Sequence, residues 1–137
     1  MLLRESDQLH VLIIGDGSLF HEGVTSLFTQ ETDMLISYTT CPDDLVFVNS
    51  IEVTKPDVIV VNESGSLDAE RFLNLISMYA LVMSFLIVIV RNTNDLIDIY
   101  NKPAFGAETT LSNPQQVRIR TGDELVRVVR EKYKGQR

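Results

Sequence analysis

Val11-Leu12-Ile13-Ile14-Gly15-Asp16-Gly17-Ser18-Leu19-Phe20 (residues 11–20) joins a four-residue apolar run to a glycine-flanked turn and then to an apolar-periodic segment. The apolar run is of strand type. Gly15-Asp16-Gly17 ends it, and Ser18 can cap a helix running to about Gln30. Leu19, Phe20, Val24, Leu27 and Phe28 fall on one face of that helix at helical spacing. The chain therefore opens on a β-turn-α unit, and the question is how often the unit repeats.

It repeats along most of the sequence. Met34 to Thr40 reads as a second strand, polar enough to lie near an edge. Pro42 suits a first helical position, with Asp43 and Asp44 in the first turn and Leu45, Val48 and Ile51 as an apolar stripe. Lys55-Pro56 closes this helix, because a residue before proline avoids the helical region. Val58 to Val61 is entirely β-branched, as expected of a central strand buried on both faces. A turn-rich loop, Asn62 to Ser66, leads to a helix over Leu67 to Met78, and Phe85 to Val90 is a further buried strand. Asn92-Thr93-Asn94 supplies a loop and a cap for a helix from Asp95, which Pro103 shortens and Gly106 stops. Thr109 to Leu111 reads as a short fifth strand. In the stretch from Asn113 to Arg120, Val117 and Ile119 alternate with arginines and could form a short extended piece. Thr121 and Glu124, three apart, make a capping box for a last helix bearing Leu125, Val126, Val128 and Val129.

Five β-α units predict an α/β fold: one doubly wound, five-stranded parallel sheet with right-handed crossovers. In such sheets the functional crevice lies beyond the carboxyl ends of the strands. The residues there are Gly15-Asp16, Asn62-Glu63, Asn92-Thr93 and Ser112-Asn113.

Composition narrows the function classes. The 137 residues fit a single domain, with a basic tail over about 131–137, and 45% hydrophobic content is ordinary for a globular chain. The longest apolar stretch, Tyr79 to Val90, is interrupted by Ser84 and falls short of the ~18 residues of a membrane span. With no leader pattern over Met1 to His10, a cytoplasmic protein without membrane contact is expected. Cys41 is the only cysteine, so neither an intrachain disulfide nor a CxxC metal site is available. From Arg118 to Arg137 seven Lys/Arg stand against three Asp/Glu, which is +4 within a net −7 and leaves −11 on the rest. An acidic body repels phosphates, so this domain alone is not expected to bind nucleic acid. The terminal cations suit the end of a last helix, whose dipole favours them.

The order and spacing of several strings resemble the receiver domain of NarL/LuxR-type response regulators. The family has an apolar strand, two aspartates, two loop residues and Leu-Phe-Arg-Glu-Gly where this chain has Val11 to Gly23. Lys55-Pro56-Asp57-Val58-Ile59-Val60-Val61 resembles its lead-in to the phosphoacceptor, and Leu67-Asp68-Ala69 the Met-Asp-Gly opening its third helix. Asp95 to Gly106-Ala107 has the spacing of its fourth helix, and Asn113-Pro114 stands at its Lys-Pro. The resemblance implies a (βα)5 flavodoxin-like fold with strand order 2-1-3-4-5. It also implies two-component phosphorelay signalling, in some members as the front part of a transcription regulator.

A receiver needs a nucleophilic carboxylate, an acid pair for Mg²⁺, and a hydroxyl and a lysine for the new phosphate. The matching positions depart from that set. Asn62 stands for the nucleophile, Gly15 and Asp16 for the acid pair, Asn92 (or its neighbour Thr93) for the hydroxyl, Asn113 for the lysine, and Thr110 for the aromatic switch. Asp16, the surviving acid, is a weak metal candidate by itself. Glu63 would point to the opposite face from Asn62 and so is a poor substitute acceptor.

The expectation is therefore a non-enzymatic, cofactor-free pseudo-receiver that acts by protein contact. A weak homodimer through the first and last helices fits their apolar excess. The rival is a small-ligand or nucleotide-binding flavodoxin-like domain, with phosphate held at the loop from Gly15 to Ser18. A dinucleotide fingerprint would need a glycine at position 20, which is Phe20. His10 and His21 lack further ligands in sequence, and His21, on the first helix, is expected at the surface.

Overall fold

The computed structural model describes residues 8–40, 43–64, 68–79, 85–91, 95–100 and 114–134. In chain order the elements are β1 (Leu9–Gly15), α1 (Leu19–Thr29), β2 (Met34–Thr40), α2 (Asp44–Thr54), β3 (Val58–Glu63) and α3 (Ala69–Tyr79). They are followed by β4 (Leu86–Arg91), β5 (Leu96–Tyr100), β6 (Gln115–Arg118) and α4 (Gly122–Lys134). None of the described helices is long and apolar enough to cross a membrane.

The local signals explain most boundaries. Ser18 caps α1, its Oγ accepting the His21 N–H at 3.3 Å. Asp43 is the cap of α2 rather than a member of its first turn, and its Oδ1 accepts the Val46 N–H. Lys55 ends α2 in the left-handed region, with φ 48°, immediately before Pro56. Thr121 Oγ1 accepts the Glu124 N–H, one half of the expected capping box. The Glu124 carboxylate reaches back to the Arg120 N–H.

Strands β2, β1, β3 and β4 are parallel, in that order, as expected. Two extra neighbours follow, and here the expectation is corrected. Among the described residues the sheet has six strands in the order β2-β1-β3-β4-β5-β6, and both β5 and β6 join antiparallel to their neighbours. The helix expected from Asp95 is the strand β5. Residues 96–100 read Leu-Ile-Asp-Ile-Tyr, so Ile97 and Ile99 face one layer while Asp98 and Tyr100 face the other, a period of two. The short connection over residues 92–95 reinforces this, since a parallel return needs a crossover of a dozen residues or more. The alternation at Val117 marks β6, where only a possible extended piece was expected. The expected fifth strand at Thr109 to Leu111, with Pro103, Gly106 and Cys41, lies outside the described residues.

Two apolar layers cover the sheet. On one face, α1 and α4 pack Val24, Phe28, Leu125, Val126 and Val129 onto Val11, Ile13, Val58, Val60, Leu86 and Val88. On the other, α2 and α3 bring Phe47, Ile51, Ala69 and Phe72 onto Leu12, Ile14, Ile59, Val61, Ile87 and Ile89. Phe47 and Phe72 meet edge to face with centroids 4.8 Å apart. Most of the apolar excess on the first and last helices is thus core. Phe20 and Val128 pack against it, and Leu19 alone stays exposed among the residues that suggested a contact surface.

Arg130 fastens α4 to the turn between α1 and β2. Its guanidinium bonds Asp33 through Nε and Nη2, both at 2.9 Å, and Glu31 through Nη2 at 2.7 Å. The Arg130 hydrogen bond holds the Asp33 carboxyl below its usual range. All three side chains are partly exposed, so solvent screens the pair. Arg130→Met is expected to lower unfolding free energy by about 1 kcal/mol. Asp33 is depressed in the folded state, so its contribution is present above the unfolded value and is lost as pH falls through the folded one. Denaturant titrations at neutral and acidic pH should show the gap between wild type and Arg130→Met closing below about pH 4.

Candidate functional site

The carboxyl ends of β1 and β3 bring Gly15, Asp16 and Asn62 to one place. The β1–β3 register ends at Ile14 beside Val61, so the next step sets Gly15 beside Asn62. On its other side Asn62 is paired with Val90 of β4. Asn62 follows Val58 and Val60 on the face covered by α1 and α4 and is 1% exposed. Neither its Oδ1 nor its Nδ2 has a hydrogen-bond partner.

His21 completes the site, and its placement overturns the expectation of a surface residue. It is 2% exposed. The first turn of α1 hangs the imidazole over Gly15 so closely that a Cβ at position 15 would collide with Cγ and Nδ1. Nδ1 accepts the Gly17 N–H at 3.0 Å, which fixes the neutral ring with its proton on Nε2. Nε2 is buried and, like the Asn62 amide, without a partner. Burial holds the His21 pKa below its usual value, partly opposed by the charges of Asp16 and Glu22. The acid that the resemblance would place at position 15 has no room here, because the histidine occupies that space.

The loop is tied off as well. Asp16 Oδ1 accepts the Ser18 N–H at 2.9 Å, Gly17 adopts φ +78°, and Ser18 takes the His21 N–H. Three of the N–H groups that a phosphate at the amino end of α1 would draw on, those of Gly17, Ser18 and His21, are thus already engaged. Among the described residues no group of three or more His, Cys, Asp or Glu is placed to hold a metal ion. Asn92, Thr93, Thr110 and Asn113 lie outside the described residues.

Glu63 faces the opposite layer. Its Oε2 accepts the Ala69 N–H at the start of α3, and its Oε1 binds Arg91 Nε at 2.7 Å. Arg91 Nη2 also binds Asp98 at 2.9 Å, and Gln116 donates to Asp98 at 3.2 Å. One guanidinium therefore joins β3, β4 and β5, and it compensates the inward carboxylate of Asp98. Sequence reading missed this network and the buried histidine. The signals present were an acid alternating with isoleucines at Asp98, and a residue without a side chain at Gly15, at the end of the strand before His21's helix.

Gly15→Ala is expected to lower stability by about 1–3 kcal/mol through overpacking against the ring. In a His21→Ala background the same change should cost little, so a double-mutant cycle by chemical denaturation should give a large coupling. Acid should act through the same residue. With a depressed folded value, His21 contributes no pH dependence above its ordinary 6.5, and stability declines as pH falls below it until the folded value is reached. Melting temperatures from pH 7.5 to 5 should show this decline, and His21→Asn, whose Oδ1 can stand in for Nδ1, should flatten it.

No family model matches this chain, and no curated protein or solved structure matches it.

Proposed function

We propose that the chain is a receiver-like regulatory module of the two-component type that works by protein contact and does not take up a phosphoryl group. The carrying observation is the seal at the end of the central strand: a neutral, buried Asn62 beside a Gly15 whose side-chain space is filled by neutral His21. The parallel β2-β1-β3-β4 core, with α1 and α4 on one face and α2 and α3 on the other, supports the receiver half of the reading. A carboxamide is a poor nucleophile, and the site gathers no acidic cluster that would draw Mg²⁺ among the described residues. The nucleotide-binding rival is weakened by the occupied donors of the loop from Gly15 to Ser18.

The antiparallel β5 and β6 bear on the kind of contact. Family members use the fourth helix with the fifth strand as an association surface. Here residues 96–100 form a strand inside the sheet, so an output made through a helix at those residues is not available. The module has to present another surface.

Incubation with acetyl phosphate and Mg²⁺ followed by intact mass measurement tests the proposal, and no adduct is expected on wild type. Asn62→Asp should also remain unlabelled. That variant buries a carboxylate where the Asn62 amide has no hydrogen-bond partner among the described residues, so its pKa rises in the folded state. Its stability deficit, about 2–3 kcal/mol at neutral pH, should shrink as pH falls toward the unfolded value near 4. Robust Mg²⁺-dependent labelling of either protein would refute the proposal.

A further inference from the structure

Among the described residues, the edge of the sheet at β2 carries none of the usual protections against pairing. Met34-Leu35-Ile36-Ser37-Tyr38-Thr39-Thr40 contains no charge and no proline, and all seven residues pair with β1 without a bulge. Natural edge strands normally carry such interruptions, because their outward N–H and C=O groups template another strand. Tyr38 is 65% exposed on the face of α1. On the other face α2 runs beside β2 and exposes Leu45 (78%), Val46 (44%) and Val53 (73%). A cleft of about 230 Å³ lies between strand and helix, with Leu35, Ser37, Val53 and Pro56 in its lining.

We infer that this edge pairs with the β2 edge of a second copy of the chain, antiparallel about a two-fold axis near Ser37. The occupant is a second copy because the surface is self-complementary. With Ser37 facing itself, Ile36 of each copy meets Tyr38 of the other on one face, an aromatic–β-branched pair. Leu35 meets Thr39 on the opposite face, and the two α2 stripes approach there. The acids beside the strand have partners within each chain: Asp33 binds Arg130, Asp44 binds Arg71, and Asp43 accepts the Val46 N–H as the cap of α2. Size is adequate too. The four exposed apolar side chains offer on the order of 400 Å² per copy. Twice that, with the strand backbones added, approaches the ~1,200 Å² lower bound of specific interfaces. The inference does not depend on the phosphoryl question. It replaces the helix-to-helix dimer suggested by the sequence with a continuous sheet across two chains.

The test is sedimentation equilibrium of the full chain from micromolar to millimolar concentration. A reversible species of twice the 15.5 kDa chain mass is expected. Tyr38→Lys and Val53→Glu alter side chains already exposed in the single chain, so each should keep its melting temperature while weakening the dimer at least about tenfold. Leu19→Lys, at the exposed start of α1, should leave the dimer unchanged. Hydrogen exchange of wild type gives a readout free of substitutions: outward amides within residues 34–40 should slow as concentration rises. A chain that stays monomeric throughout would overturn the inference. So would a dimer insensitive to both edge variants, or one lost with Leu19→Lys.

Discussion

Val58, Ile59, Val60 and Val61 are fully withdrawn from water, and a strand buried on both faces forces everything around it into two layers. Each layer has to be apolar where it meets the sheet. That requirement places α1 and α4 over Val58 and Val60, and α2 and α3 over Ile59 and Val61. It also fixes the register. A slip of one residue would exchange the two faces of β3 and bring Asn62 under α2 and α3. The polar residues at the end of β3 are held where they are by the apolar ones before them.

The same constraint parts the two polar residues at the end of β3. Successive residues on β3 point to opposite faces, so Asn62 and Glu63 are separated by the sheet itself. Glu63 finds a cation, Arg91, and a helix amino end, both of which favour its charge. Asn62 is buried at the end of an apolar layer, next to the Gly15 that the neutral imidazole covers, and a charge there would be costly. One strand end thus carries a satisfied ion pair on one face and a neutral seal on the other. A phosphoryl-transfer pocket needs negative charge and a metal gathered on one side, and this partition works against it.

Much of the fold was legible in the sequence because it rests on local physics. The strand at Val11 to Ile14, the cap at Ser18, the helix stop at Lys55-Pro56 and the capping box at Thr121 each depend on residues a few positions apart, and the structure has them. The misreadings came where a distant partner decides. Residues 96–100 carry a strand alternation, but the family spacing from Asp95 to Gly106 outweighed it. Asp98 is buried in that strand because Arg91 of the neighbouring strand gives it a partner. His21 looked exposed because an arginine stands at that position in the resembling family. What buries it is the missing side chain at Gly15, six residues earlier and on a different element. At the site, the placement of Gly15, Asp16 and Asn62 followed from strand order, whereas the ring that closes the space did not.

The clasp between Arg130 and the pair Glu31 and Asp33 spans almost a hundred residues of chain. It belongs to a helix that supplies three buried residues, Leu125, Val126 and Val129, to the face of β1, β3 and β4. That helix is synthesised after all the strands it covers. While the earlier strands leave the ribosome, the layer over Val58, Val60 and Val88 is only half built, and their apolar side chains lack the cover α4 will give them. The uncharged β2 edge is also open in that interval. The nascent chain therefore passes through a stage when one sheet face and one sheet edge are exposed together, a combination prone to aggregation in crowded conditions. Docking of α4 ends that exposure on the face, and the cations of its final turn and Arg130 give the late-arriving helix an acidic turn to find.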